Sequence, residues 1–135
     1  MPSANPQKED LRPVFARLRS ILETYTDRFV VKEDTPGYYY LETTTAEYRR
    51  KPLMFGAVRS GRNYVSYHLM VLYGCPELVA KLSPAMRKRM QGKSCFNFAA
   101  VDEPLFAELE RVTAETWRLW GKMQERLAAG VKERK

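Results

Sequence analysis

A chain of 135 residues, 44% hydrophobic and 29% charged, has the composition of one ordinary globular domain. At this length folding buries roughly two thirds of the surface the unfolded chain exposes, so a core forms without disulfides or metals. The formal net charge of +7 favours an anionic partner, and no apolar run approaches the ~20 residues that would span a bilayer, which excludes a membrane helix.

The charge is unevenly placed. Between positions 49 and 93, Arg49, Arg50, Lys51, Arg59, Arg62, Lys81, Arg87, Lys88, Arg89 and Lys93 face only Glu77, while both flanking segments are close to balanced. The middle of the chain therefore carries the whole net charge. Cys75 and Cys95 lie far apart and form no CxxC, the pattern of two reduced thiols in a cytoplasmic protein. Residues 1–9 are polar, contain proline and lack a signal-like apolar stretch, so they read as a flexible tail. Residues 10–130 read as one domain and 131–135 as a charged tail. A monomer or a homodimer is expected, with no membrane partner.

Leu11, Val14, Phe15, Leu18, Ile21, Leu22 and Tyr25 recur at spacings of three and four. They predict a helix over 10–25, with Asp10 as N-cap and Pro13 in the first turn. The period then changes to two. Phe29 to Lys32 and Tyr38 to Thr43 read as strands joined by Asp34-Thr35-Pro36-Gly37, and Leu53 to Arg59 and Tyr64 to Val71 as strands joined by Ser60-Gly61-Arg62-Asn63. A helical insert follows. It opens at Cys75-Pro76-Glu77, restarts at Ser83-Pro84 as N-cap and N1, and stops at Gly92. Arg87, Lys88 and Arg89 fall in its last turn, where cations suit the helix dipole. Cys95 to Ala99 reads as a last strand. Asp102 then caps a long helix whose apolar stripe runs through Leu105, Phe106, Leu109, Val112, Thr116, Trp117, Trp120, Met123 and Leu127 to Gly130. This order predicts an α+β fold: an antiparallel sheet with the two terminal helices on one face and the other face partly open.

Alternation assigns side chains to that open face. Val65, Tyr67 and Leu69 make the row suited to the helices, leaving Tyr64, Ser66, His68 and Met70 on the other side. Cys95 and Asn97 join them, with one or two of Tyr38, Tyr39 and Tyr40, and Arg59, Arg62 and Lys93 at the rim. Aromatic and polar groups bordered by cations suit an anionic organic ligand. Each residue also has a plainer structural reading: His68 as a hydrogen-bonded strand residue, Cys95 as a small buried hydrophobe, the tyrosines and Trp117 and Trp120 as packing, and Arg87 to Arg89 as a solvated helix end.

One histidine and two distant cysteines do not make a standard zinc site. No GxGxxG, P-loop, GxSxG or calcium-loop pattern occurs. Cys95 and His68 on neighbouring strands could form a nucleophile pair, but no specific third group orients them. No catalytic residue is assigned, and a non-enzymatic role is the expectation.

Three stretches, Asn63-Tyr64-Val65-Ser66-Tyr67-His68-Leu69-Met70, Leu78 with Leu82-Ser83-Pro84, and Met90-Gln91-Gly92-Lys93-Ser94-Cys95-Phe96-Asn97-Phe98, together with Asp102-Glu103-Pro104-Leu105-Phe106, resemble the YdhG-like family of bacterial domains of unknown function. The resemblance covers roughly residues 10 to 128. It implies a frataxin-like two-layer sandwich. It also implies iron delivery as one role, because an iron chaperone has been described in the family. Frataxin-type binding uses an acidic ridge along the first helix and first strand, where carboxylates hold a hard cation. Glu23, Asp27, Glu33 and Asp34 occupy that region here, with Arg12, Arg17, Arg19, Arg28 and Lys32 interleaved.

The leading expectation is a small cytoplasmic binding module without a cofactor. It recognises an anionic small molecule or an acidic protein surface through Arg59, Arg62, Tyr64, Ser66, His68, Lys93, Cys95 and Asn97. The alternatives are an iron chaperone using Glu23, Asp27, Glu33 and Asp34, and a single-stranded nucleic-acid binder using sheet aromatics and the basic segment.

Overall fold

The computed structural model describes residues 10–48, 51–92 and 94–122. Helix α1 spans Arg12–Glu23. A 3-10 turn at Thr26–Arg28 leads into strand β1, Val30–Thr35, followed by β2, Tyr38–Tyr48, β3, Lys51–Ser60, and β4, Val65–Leu69. Three short helices form the insert: α2, Val71–Gly74, α3, Pro76–Ala80, and α4, Pro84–Arg87. Strands β5, Met90–Gln91, and β6, Cys95–Phe98, precede helix α5, Glu103–Arg118. The fold is α+β, and all strands lie antiparallel in one sheet of order β1-β2-β3-β4-β6-β5.

The amphipathic stripe of α1 buries Val14, Phe15, Leu18, Ile21 and Leu22. That of α5 buries Leu105, Phe106, Leu109, Thr113 and Thr116. Both share one core with Tyr39, Leu41, Val58, Val65, Tyr67, Leu69, Phe96 and Phe98 from the sheet. Burying these side chains, at about 1.5–3 kcal/mol for each large aliphatic or aromatic one, supplies most of the drive to fold. An aromatic knot closes one end. Phe29 stacks on Phe55 with centroids 4.5 Å apart. Trp120 meets both edge-on, at 5.5 and 5.4 Å. Arg17 bridges the two helices, donating to Glu103 at 3.0 Å and pairing with Glu110 at 3.1 Å. Exposed pairs of this kind contribute little stability.

A chain of buried polar contacts runs through Thr113. Thr113 donates to the Leu109 carbonyl at 2.8 Å, so the Tyr67 hydroxyl, 2.7 Å away, is the donor to Thr113. Burial raises the Tyr67 pKa far above the ordinary phenol value, which keeps that proton in place. The stripe read from sequence steps from Leu109 to Val112 and Thr116 and passes over Thr113, which is buried while Val112 is only half-buried. The inward tyrosine is what makes Thr113 a core position.

Central strand β3 is irregular where α1 crosses it. Leu41 faces Gly56, yet Glu42 faces Met54, so Phe55 is an extra residue. Phe55 is fully buried among the helix-side aromatics. Gly56 also points to that side, since a Cβ there would sit 2.8 Å from Leu22 Cδ2 and 3.1 Å from the His68 carbonyl oxygen. This is a β-bulge: two consecutive side-chain positions face the core and the alternation reverses beyond them.

Several boundaries differ from expectation. Asp10 does not cap α1. Leu11 holds the N-cap position without a side-chain hydrogen bond, and the Asp10 carboxylate pairs with Arg12 at 3.3 Å. Pro13 in the first turn removes one of the donors a cap would satisfy. β4 ends at Leu69, and Val71 begins α2 instead of ending the strand, because the run Leu69 to Leu72 no longer alternates. β2 continues beyond Thr43, and β5 is too short to carry a period. The caps at Ser83 and Asp102 form as expected, accepting from Met86 N at 3.1 Å and Leu105 N at 3.3 Å. The expected tails at 1–9 and 131–135, and the extension of the last helix through Met123 and Leu127, lie outside the described residues.

Gly56→Ala is expected to destabilise by about 1–3 kcal/mol, because the new methyl meets a packed leucine and a backbone carbonyl. Chemical denaturation checks this, and an unchanged midpoint would mean that α1 can shift freely over β3. Tyr67→Phe should cost about 1 kcal/mol, since Thr113 keeps its bond to Leu109.

Candidate functional site

The bulge makes the uncovered side of the sheet readable. Beyond it, Ala57 and Arg59 face away from the helices, and the strand registers align two rows across the sheet. One runs Thr35, Tyr38, Arg59, Ser66, Asn97. The other runs Glu33, Tyr40, Ala57, His68, Cys95, Gln91. No described helix packs on these rows, and most of their side chains are half-buried or exposed. Ala57, flanked by Tyr40 and His68, is the exception at 4% exposure. It gives the middle of the face a small side chain between larger neighbours.

The polar groups of the face are linked. Asn97 Oδ1 accepts from Ser66 Oγ at 2.8 Å and from the Cys95 thiol at 3.7 Å. Asn97 Nδ2 donates to Gln91 Oε1 at 2.6 Å. The Asn97 amide is thereby oriented from three sides. The Arg59 guanidinium lies over the Tyr38 ring at 5.5 Å, and the Tyr38 and Tyr40 rings meet edge-to-face at 5.9 Å. Among the described residues no carboxylate pairs with Arg59. Lys32 lies over Tyr40 at 5.6 Å and reaches Glu42 at 3.8 Å.

Of the residues chosen from sequence, Ser66, His68, Cys95 and Asn97 come together as expected. Arg59 stands within the face, not at its rim. Arg62 and Tyr64 are exposed where the β3–β4 turn enters β4, and neither has a contact to the Asn97 network. Lys93 lies outside the described residues. Between the tyrosine rows the structure decides: Tyr39 packs inward at 2% exposure, whereas Tyr38 and Tyr40 face outward. Gln91 was missed, because nothing in the sequence marks the two-residue strand that carries it.

Partial burial lowers the His68 pKa and raises that of Cys95, the latter partly offset by the Ser66 hydroxyl. At neutral pH the two form a neutral imidazole opposite a protonated thiol, not a thiolate–imidazolium pair. Three of the four carboxylates of the iron reading are paired with arginines, and the fourth stands apart. Arg19 binds Glu23 at 3.0 Å and Asp34 at 2.7 Å, Arg28 pairs with Asp27 at 3.3 Å, and Glu33 stands on the opposite sheet face from Asp34. Among the described residues no group of three or more histidine, cysteine or carboxylate side chains is placed to hold a metal.

A cleft of about 500 Å³ lies away from these rows, between the insert helices and β5. Leu72, Tyr73, Pro76, Val79 and Met90 line it, with Arg87 in its wall. No helix among the described residues is long and apolar enough to cross a membrane. No family model, curated protein or solved structure matches the chain.

A histidine with a depressed pKa is protonated first in the unfolded chain. His68 therefore contributes stability that is full above the ordinary value of about 6.5 and declines as the pH falls below it. The unfolding midpoint of the wild type should drop between about pH 7.5 and about pH 5.5 by more than that of His68→Gln. An imidazole titration by NMR centred at or above the ordinary value would contradict this.

Proposed function

We propose that the chain is a small, non-enzymatic, cytoplasmic binding module that takes an anionic small molecule on the open sheet face. The observation that carries this is the position of Arg59: a cation with no described carboxylate partner, between the Tyr38 ring and the Ser66–Asn97 pair on one cross-strand row. A planar or phosphorylated anion could stack beside Tyr38, take charge-assisted hydrogen bonds from Arg59 and be oriented by the polar network. His68, neutral at physiological pH, adds a hydrogen-bonding group without charge. Arg62 and Tyr64 belong to this reading as an exposed border, Lys93 joins it on the sequence alone, and an acidic protein surface would use the same features.

In this reading the domain is YdhG-like and frataxin-like, a resemblance carried by the sequence stretches and compatible with two long helices on one face of an antiparallel sheet. Iron delivery is the reading that resemblance brings, and it would require Glu23, Asp27 and Asp34 to leave their arginine partners. Single-stranded nucleic acid is favoured by one specific observation, the outward Tyr38 and Tyr40 rings beside Arg59, which resemble a stacking platform.

Thermal unfolding with a panel of phosphorylated metabolites, anaerobic ferrous iron and a short single-stranded oligonucleotide separates these readings. A ligand at about one hundred times its dissociation constant stabilises by about 2.7 kcal/mol, a shift of several degrees at this size. A metabolite shift that Arg59→Glu abolishes, with the fold retained, is the expected result. A shift only with iron, or only a salt-sensitive one with the oligonucleotide, would replace the proposal. No shift with any metabolite, or one that survives in Arg59→Glu, would overturn it.

A further inference from the structure

The insert builds a second site, independent of the open face. Pro76 and Pro84 break the chain into three short helices, so α2, α3 and α4 cannot merge into one rod and instead curl around a space. Leu72, Leu78, Leu82 and Met86 anchor them in the core. Tyr73, Val79 and Met90 remain at the boundary of the cleft, with Tyr73 at 59% exposure. A volume of about 500 Å³ falls within the range of sites that hold small organic molecules.

Arg87 gives this apolar space a sign. Its Nη2 donates to the carbonyl of Ala80, the last residue of α3, at 2.8 Å. Both residues line the cleft, so that bond holds the guanidinium in the wall and leaves its other donors for a ligand. None of the described lining residues is acidic. Among the residues that adjoin lining positions in sequence, Lys81, Lys88 and Arg89 outnumber Glu77, so their sum adds to the positive potential.

We propose that this cleft binds an organic anion with an apolar, ring-sized body. The body sits against Leu72, Tyr73, Val79 and Met90, and the anionic group meets Arg87. A neutral molecule of the same shape would gain the apolar contact and lose the charge-assisted hydrogen bonds, which sets the selectivity.

Naphthoate and its neutral isostere naphthamide are suitable probes, followed by NMR amide shifts and titration on the intact chain. Naphthoate should bind about tenfold or more tightly than naphthamide, with shifts centred on Val79 and Met90. Arg87→Gln should erase that preference and leave naphthamide binding unchanged. Val79→Trp, which fills the cleft, should weaken both probes. Equal binding of the two probes, an Arg87→Gln variant that keeps the preference, or no binding of either at millimolar concentration would overturn the proposal. Shifts confined to Ser66 and Asn97 would also overturn it and would favour the open-face reading instead.

Discussion

The structure depends on how closely α1 approaches the middle strand of the sheet. Leu22 lies against the bare α-carbon of Gly56, where any side chain would collide with it. Placing a glycine there lets the helix settle on β3, and the extra residue Phe55 turns its ring into the same layer. The aromatic knot of Phe29, Phe55, Trp117 and Trp120 forms because of that turn. So does the outward placement of Arg59. Without the bulge, strict alternation along β3 would put Phe55 and Arg59 on one face, leaving either an aromatic ring in water or a guanidinium in the core.

The helix layer and the open face are therefore two results of one local irregularity. On one side, apolar burial is dense enough that Tyr67 keeps a hydroxyl in the core only by donating to Thr113. On the other, polar groups are satisfied mainly by each other, through Asn97. The half-burial that makes His68 and Cys95 reluctant to ionise comes from the same neighbours. Neither group is set up to carry charge at neutral pH, so the charge on these two rows rests with Arg59 and Glu33.

Periodicity made the layers legible. The apolar stripes around Leu18 and Leu109, and the alternation of Val65, Tyr67 and Leu69, identify α1, α5 and the inward row of β4 without any structure. Ser66, His68, Cys95 and Asn97 follow from the same counting. What failed to show was whatever depends on interrupted counting. The run from Leu53 to Val58 is apolar throughout and does not reveal that Phe55 and Gly56 share a side. Tyr38, Tyr39 and Tyr40 are chemically alike, so only pairing with β3 decides which of them points outward. Gln91 and the insert cleft depend on a two-residue strand and on breaks at prolines, features with no period to detect. The charge count located the basic segment, but not the carbonyl of Ala80 that fixes Arg87.

The two borders of the sheet have a consequence for how this chain tolerates crowding. An exposed strand border offers unpaired amides and carbonyls to any passing extended chain. Here one border is β5, only two residues long and followed by Gly92, whose φ of 77° turns the backbone out of the strand direction. The other is β1, interrupted at Lys32 where its register slips against β2. Neither presents a long, straight template. At these two strands the sheet gives foreign chains little to zip onto, although one of its broad faces is left uncovered by the described helices.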